Sequence, residues 1–459
     1  MKTTLLSLIA LLLLWAPGAS AHGIHAHIHV TGWAIEALPD GELRDFFQDP
    51  EVMNAALFGA AFTDSGYWPL SGEMGEIART YSEHTHWEPF IQDVVTWIRE
   101  NDPPPWTSIE SRRRAAFFMG CASHGMQDEL FDSLFLHQVH AHDGGDQDGA
   151  DPASDGFLII DDHLRFYPQP YMPMATLLTL YSSLDVEVTE TVIEAAVDKM
   201  IGVYVNDEFG PELARAIGES SLETLPWTYD HYMDETIPGS LRSEIGPTMG
   251  YIQAIWARLH GTFDPHNAVV GTYPAPNLRL LGIGADSPDS WVTFVYGVGV
   301  ERDGPAHTWL DDTGAAVPFT RDGTRWGASW TRLHSLRPDQ DLPSGTWMTA
   351  QLPPSSALID GTTTTSGFEH VFQTPCEDAD DPRCAEAPPS DDVDAEDGQA
   401  PSIDALESSE DATSDAVTDD AMTDDEGGCH GGSPSGGLAL LSLLAWLLLR
   451  RRDATTATL

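Results

Sequence analysis

The sequence predicts a multidomain chain in which an all-α domain is followed by a β-sandwich and a disordered acidic stalk. Three observations carry that expectation. Between His22 and His266, segments such as "EPFIQDVVTWIREN", "RRRAAFFMGCASHGMQDELFDSLFLHQVH", "MATLLTLYSSL", "TETVIEAAVDKMIGVYV" and "LRSEIGPTMGYIQAIWARLHG" repeat apolar residues at three- and four-residue steps, the spacing of a helix face. From about Thr272 to Thr374 the segments shorten and alternate, as in "SWVTFVYGV", "TRWGASW" and "GTWMTAQL", with Gly, Asp and Pro between them, which marks strands and turns. From Glu377 to Gly427 the chain holds 20 acidic residues, one arginine and no aromatic residue. Such a stretch buries too little apolar surface to offset its conformational entropy, so it reads as linker.

Taken in chain order, the elements begin with an export signal. Lys2, the apolar run Leu5 to Trp15 and "ASA" at 19–21 predict a signal peptide over 1–21, with cleavage leaving His22 at the mature amino terminus. The helical domain then spans 22–266, the β-domain 268–375, the acidic linker 376–432 and a hydrophobic tail 433–459. The apolar run of that tail, Leu438 to Leu449, is about 12 residues, short of the roughly 20 that span a bilayer, so it reads as a processed tail. With Cys429 before it and three arginines behind, it resembles the C-terminal sorting signal of myxobacterial surface proteins. That resemblance implies Cys429 as the attachment position and a C-terminal processing enzyme as a partner. Four cysteines do not make a disulfide scaffold, although Cys376 and Cys384 are close enough to pair, and Cys121 reads as a small buried thiol.

The formal net charge is -50, from 72 acidic and 22 basic residues, which favours solubility and disfavours nucleic acid as a partner. Against that background, 11 of the 18 histidines lie between His22 and His163, many beside carboxylates, in "HGIHAHIH", "EHTHW", "SHGMQD" and "HQVHAHDGGD". His124, Asp128 and Asp132 stand at four-residue steps among Phe117, Phe118, Met119, Leu130 and Phe131, so they form one polar stripe on an otherwise buried helix. Left without partners, such a stripe would be strongly destabilising. Nitrogen and carboxylate donors with few thiolates suit Zn2+ at an open catalytic site better than a closed structural one. No Ser/His/Asp or Cys/His arrangement stands out, which favours water over a side-chain nucleophile. Arg112 to Arg114 read as solvated surface, and "DGGDQDGADPASDG" at 143–156 as a loop insertion or, alternatively, a calcium-binding stretch. His307, His334 and His370 lack carboxylates at ligand spacing and read as structural or exposed.

The stretch "HTHWEPFIQDVVTWIRENDPPPW" at 84–106, with "FGAAFTDSGYW" before it, "FFMGCASHGMQD" after it and "YMPMATLLTLY" at 171–181, resembles the zinc-dependent phospholipase C/D family, in particular the N-terminal catalytic domain of GPI-specific phospholipase D. The resemblance covers roughly residues 22–260. It implies a helical fold, related to that of fungal single-strand nucleases, around three zinc ions. Residue by residue it implies His29 in "HIHVTGW" as an early ligand, and Asp64 in "FTD" and His86 in "THW" on one zinc. His124 and Asp128 would join them, with Asp128 bridging two ions, and His142 and Asp146 in "AHDGGD" would hold the remaining zinc. The amino nitrogen of His22 is a further ligand if the mature chain starts there. Where relatives carry another histidine, this chain has Asp132, with His137 or His140 as alternatives. Asp64 is the residue implied to orient or deprotonate the attacking water.

The expected activity is therefore that of a secreted or surface-attached phosphodiester hydrolase acting on a phospholipid or GPI-type substrate at a membrane surface. Two other readings stand beside it: a single-strand nuclease on the same scaffold, and a surface adhesion protein that keeps metal for structure alone. The segment "LRPDQDLPSGTWMTAQL" at 336–352 resembles bacterial immunoglobulin-like modules, which implies an immunoglobulin-like spacer. All candidate ligands precede Gly156, so the helical region is expected to carry the reaction by itself.

Overall fold

A computed structural model describes residues 23–374, apart from 69, 203–209, 275–291, 305, 324–328 and 340–341. The expected signal peptide with His22, the acidic linker with Cys376 and Cys384, and the tail with Cys429 lie outside the described residues.

Helices come first: α1 (Ile24–Glu36), α2 (Glu42–Phe47), α3 (Pro50–Phe62), α4 (Glu73–His86), α5 (Glu88–Asn101) and α6 (Ile109–Leu130). A π-helical turn (Phe131–Phe135) then leads into α7 (Leu136–Asp143), followed by α8 (Gln147–Ile160), α9 (Met174–Ser183), α10 (Glu190–Met200), α11 (Gly210–Ser221), α12 (Pro226–His231) and α13 (Ile245–His260). Local chemistry sets several of these boundaries. Asp49 accepts from the Glu51 amide ahead of Pro50, and Ser108 accepts from the Ser111 amide, so each caps donors that the helix itself leaves open. The helices α3 and α6 lie backbone to backbone because glycines face across the contact. A Cβ on Gly59 would stand 2.0 Å from the Phe117 carbonyl oxygen, and one on Gly120 would stand 1.9 Å from that of Ala56. This close approach carries the metal-type residues of α6 into the middle of the helical core.

The segment 143–156 differs from its expected loop character. Most of it is helical, because Asp146 caps the Gly149 amide and Ala150, Ala153 and Phe157 give α8 a buried face. Gly156 meets Gly218 of α11 backbone to backbone. Asp143, Asp146 and Asp155 of this run serve as caps: the Asp155 carboxylate accepts from the amides of His25 and Ala26 at 3.1 and 2.7 Å, closing the start of α1.

Strands follow: β1 (Val269–Pro274), β2 (Val292–Glu301), β3 (Thr308–Asp311), β4 (Phe319–Gly323), β5 (Trp330–Pro338), β6 (Trp347–Leu352) and β7 (Phe368–Gln373). They form one four-stranded antiparallel sheet, in the order β1-β2-β5-β4, and one three-stranded antiparallel sheet, β3-β6-β7. Phe294, Tyr296, Trp309, Leu336, Met348 and Leu352 share a core of their own. Val295 of β2 and Leu333 of β5 point the other way and join the core of the helices. The pairing of β2 with β5 is broken at this junction. Val295 pairs with Leu333 and Val300 with Thr331, so residues 296–299 oppose Arg332 alone. No helix among the described residues is long and apolar enough to cross a membrane.

Candidate metal centre

Five buried side chains converge between α1, the turn after α3, the end of α4 and the C-terminal half of α6. The Nε2 atom of His86 lies 3.2 Å from Asp64 Oδ1 and 3.0 Å from Asp128 Oδ2. That of His124 lies 3.4 Å from Asp64 Oδ1 and 3.3 Å from Asp128 Oδ2. His27, from α1, completes the group with its Nε2 at 3.2 Å from Asp128 Oδ1, its ring stacked on that of His124 with centroids 3.6 Å apart. Two overlapping sets, His27 with Asp64 and His124, and His86 with His124 and Asp128, gather their donor atoms closely enough to hold a metal ion.

The other nitrogen of each ring is already committed. His86 Nδ1 faces the Ser82 carbonyl oxygen at 2.7 Å and His124 Nδ1 that of Ala60 at 2.6 Å, so each donates there. His27 Nδ1 faces Gln127 Oε1 at 3.0 Å, and the Gln127 amide nitrogen in turn donates to Thr31 and Ser123, which fixes its orientation. Each ring thereby turns a bare Nε2 lone pair toward the carboxylates. The Nε2 atoms of His86 and His124 are 3.1 Å apart. Two lone pairs at that distance repel unless a cation, whether proton or metal ion, lies among them. The donor set of imidazole nitrogens and carboxylate oxygens fits zinc.

The electrostatics of the group make the same demand for positive charge. Burial opposes charging of His124, but the carboxylates of Asp128 and Asp64 outweigh it and push the ring up to about 9. His86 is also raised well above the usual histidine range, for the same reason. Asp64 and Asp128 are held below the usual carboxylate range, because the histidines, His124 foremost, more than offset their burial.

Of the residues expected from sequence, Asp64, His86, His124 and Asp128 come together, His22 lies outside the described residues, and His29, Asp132, His142 and Asp146 are placed elsewhere. His29 points to the opposite side of α1 from His27, since two residues turn a helix by about 200°. Its Nδ1 donates to the His25 carbonyl, and its Nε2 accepts from the amides of Arg165 and Phe166 at 2.7 and 3.2 Å. His142 stacks on Trp227 with centroids 4.3 Å apart, and Asp146 serves as the cap of α8. Asp132 falls in the π-helical turn, where the period that would stack it beneath Asp128 is interrupted, and its carboxylate accepts from Gln147 at 3.2 Å. Burial, then the charge of Asp128, pushes the Asp132 carboxyl well above the usual range.

Sequence reasoning missed His27, Gln127 and Glu244. Nothing in the spacing of "IHAHIH" tells which face of α1 turns inward, although Gln127 stands within "SHGMQD". Glu244, fully buried just before α13, is pushed well above the usual range by burial and then by Asp128 and Asp132. At the rim, Tyr67 and Trp87 both donate to Glu83, at 2.7 and 2.9 Å, which fixes two aromatic rings beside His86.

No family model matches the chain. Among curated proteins it is similar to phosphatidylinositol-glycan-specific phospholipase D. Identity with the Mus musculus protein is 30% over 191 residues, covering 39% of this chain and 22% of that protein. It is 28% over 194 residues with the Rattus norvegicus protein, with the same coverage of 39% and 22%, and 34% over 133 residues with that of Bos taurus, covering 28% and 16%. The chain thus spans less than a quarter of the length of the curated relatives it matches. Distant similarity to a phospholipase family and a buried His/Asp group able to hold a metal ion therefore occur in one chain.

Proposed function

We propose that this protein is an exported, zinc-dependent phosphodiester hydrolase acting on phospholipid, of the phospholipase C or D type. The observation that carries the reading is the set of three buried imidazoles whose Nδ1 atoms are committed and whose Nε2 atoms meet two carboxylates. His86, His124, Asp64 and Asp128 would hold one ion. Asp128, with Oδ1 toward His27 and Oδ2 toward His86 and His124, is suited to bridge to a second. Bound zinc supplies Lewis acidity toward the phosphoryl oxygens and lowers the pKa of water toward about 7.

The chain's own residues do the rest. Asp64, whose Oδ1 faces the Nε2 atoms of His86 and His124, accepts a hydrogen bond from the attacking water and aims it. The rings of Tyr67 and Trp87 offer an apolar wall to the leaving part of the substrate. The similarity to phosphatidylinositol-glycan-specific phospholipase D supports a GPI-type or other phospholipid substrate at a membrane surface. The strands would form an immunoglobulin-like module, and the linker and tail would attach the chain at the cell surface after processing at Cys429.

Elemental analysis of the purified mature protein, with assays on bis(p-nitrophenyl) phosphate, phosphatidylcholine, a GPI-anchored protein and single-stranded DNA, tests the proposal. Two to three zinc ions per chain with lipid turnover are expected. Active protein without a transition metal sinks the zinc reading, turnover of DNA alone favours the nuclease, and bound metal without turnover favours an adhesion protein.

A further inference from the structure

We propose that Arg332, from the β-region, is a positioning residue for the metal-holding His86, so that the strands complete the site instead of only spacing it. The inference rests on the functional reading above. Arg332 is fully buried. Its Nη2 donates to the main-chain carbonyl of His86 at 2.7 Å, its Nε donates to Glu129 Oε1 at 3.1 Å, and its backbone amide donates to Glu129 Oε2 at 3.0 Å. His86 ends α4, and Glu129 directly follows Asp128 on α6. One guanidinium therefore ties together the two helices that carry His86, His124 and Asp128.

Two features of the backbone make room for this contact. The first is the break in the β2–β5 pairing, where Arg332 stands alone against residues 296–299 and its amide is free to reach Glu129. The second is Gly125, next to His124. A Cβ there would stand 2.2 Å from the His86 carbonyl oxygen and 2.8 and 2.9 Å from the two terminal guanidinium nitrogens. Any larger residue would fill the notch through which the guanidinium meets His86. The last carbonyls of a helix have no partner within it and carry its negative dipole end, so a cationic donor at the end of α4 stabilises that turn. The same turn orients the His86 ring, because His86 Nδ1 donates to Ser82 one turn earlier. The neighbouring corner is held in parallel: Glu88 accepts from Tyr251 and Arg258, both at 3.1 Å, and the Tyr251 ring lies under the Arg332 guanidinium at 5.5 Å.

The alternative role for Arg332 is to neutralise Glu129 and nothing more. The full-length mature protein separates the two roles through the double variant Arg332→Met with Glu129→Leu and the single variant Arg332→Lys. Zinc affinity is read by competition with a chromogenic chelator, geometry by the visible spectrum of the cobalt-substituted protein, and fold by thermal melting. Kinetics on bis(p-nitrophenyl) phosphate complete the set. The double variant removes both charges, so it should melt close to the parent while binding zinc about tenfold more weakly, with shifted cobalt bands and a lower kcat at similar KM. Parent-like affinity and cobalt spectrum in that variant overturn the proposal. If the double variant does not fold, Arg332→Lys decides. It keeps the charge opposite Glu129 but lacks the planar fork that reaches both acceptors, so weakened zinc binding with parent-like melting supports the role, and parent-like binding overturns it. A parent protein that binds neither zinc nor cobalt overturns the functional reading itself, an outcome distinct from the variant results.

Discussion

His86 and His124 meet nitrogen to nitrogen: their Nε2 atoms lie 3.1 Å apart, and each ring has spent its other nitrogen on a main-chain carbonyl. That arrangement is unfavourable for two neutral imidazoles and favourable around a cation. Replacing either ring, or the Asp128 that faces both, should therefore remove at least one metal ion and abolish hydrolysis. Metal content after His86→Ala and Asp128→Ala checks this, and a variant that keeps the parent's full complement contradicts it.

His27 and His29 should separate cleanly although they are two residues apart. His27→Ala is expected to lower metal content. His29→Ala should keep the metal and cost on the order of 1 kcal/mol, through the part-buried amide donors left open on Arg165 and Phe166. Urea unfolding and metal analysis of the two variants, side by side, distinguish ligand from tether.

Gln127 holds His27 in the tautomer that offers Nε2 to Asp128. Gln127→Leu removes that constraint and leaves the fold's apolar packing nearly intact. Zinc affinity should fall by about 10–100-fold, the usual cost of losing a hydrogen bond behind a ligand. Titration with a competing chelator gives the number, and an unchanged affinity contradicts the role.

The pH dependence has a definite sign. The folded value of His124, about 9, lies above its ordinary 6.5, so its contribution to the stability of the metal-free protein is fully present below about pH 6.5 and is lost as pH rises through about 9. Metal binding needs the neutral ring and releases the proton, so apparent zinc affinity should climb over the same interval. His29 works in the opposite direction on stability. Burial lowers it to about 4, so its neutral form is the folded one, and stability falls as the medium is acidified from about 6.5 toward 4. Melting curves of metal-free protein across this range, compared with those of His29→Gln, test both windows.

The contact of α3 with α6 predicts a strong response to one methyl group. Gly120→Ala would drive a Cβ to 1.9 Å from the Ala56 carbonyl oxygen, a backbone atom that cannot turn aside. A loss of about 3 kcal/mol or more is expected, measured by denaturant unfolding.

Much of this was legible in the sequence because it is local. Periodicity marked α5, α9 and α13, and the four-residue step from His124 to Asp128 on one helix placed both on the same inward face. The alternating segments after Thr272 marked strands that form two antiparallel sheets. What remained hidden depends on distant chain. The choice of His27 over His29 is made by the packing of α1 against α6 and against residues 165–166, and no spacing rule contains that information. The acidic run before Gly156 looked like a loop because composition alone cannot reveal that Asp155 would cap a helix 130 residues away. The pairing of Arg332 with Glu129 left no pattern at all, since a single arginine in a strand reads as exposed until the break in β5 pairing turns it inward.

That last pairing also sets an order in time. Glu129 and Arg332 are separated by 203 residues, and Arg332 and His86 by 246. On a chain made from its amino terminus, every side chain of the His/Asp group emerges while the partner of Glu129 has yet to be synthesised. Until β5 arrives, closing the helices would bury an uncompensated carboxylate, a penalty of about 3–5 kcal/mol. The closing of the helices around the His/Asp group is thus coupled to a strand that lies more than two hundred residues farther along the chain.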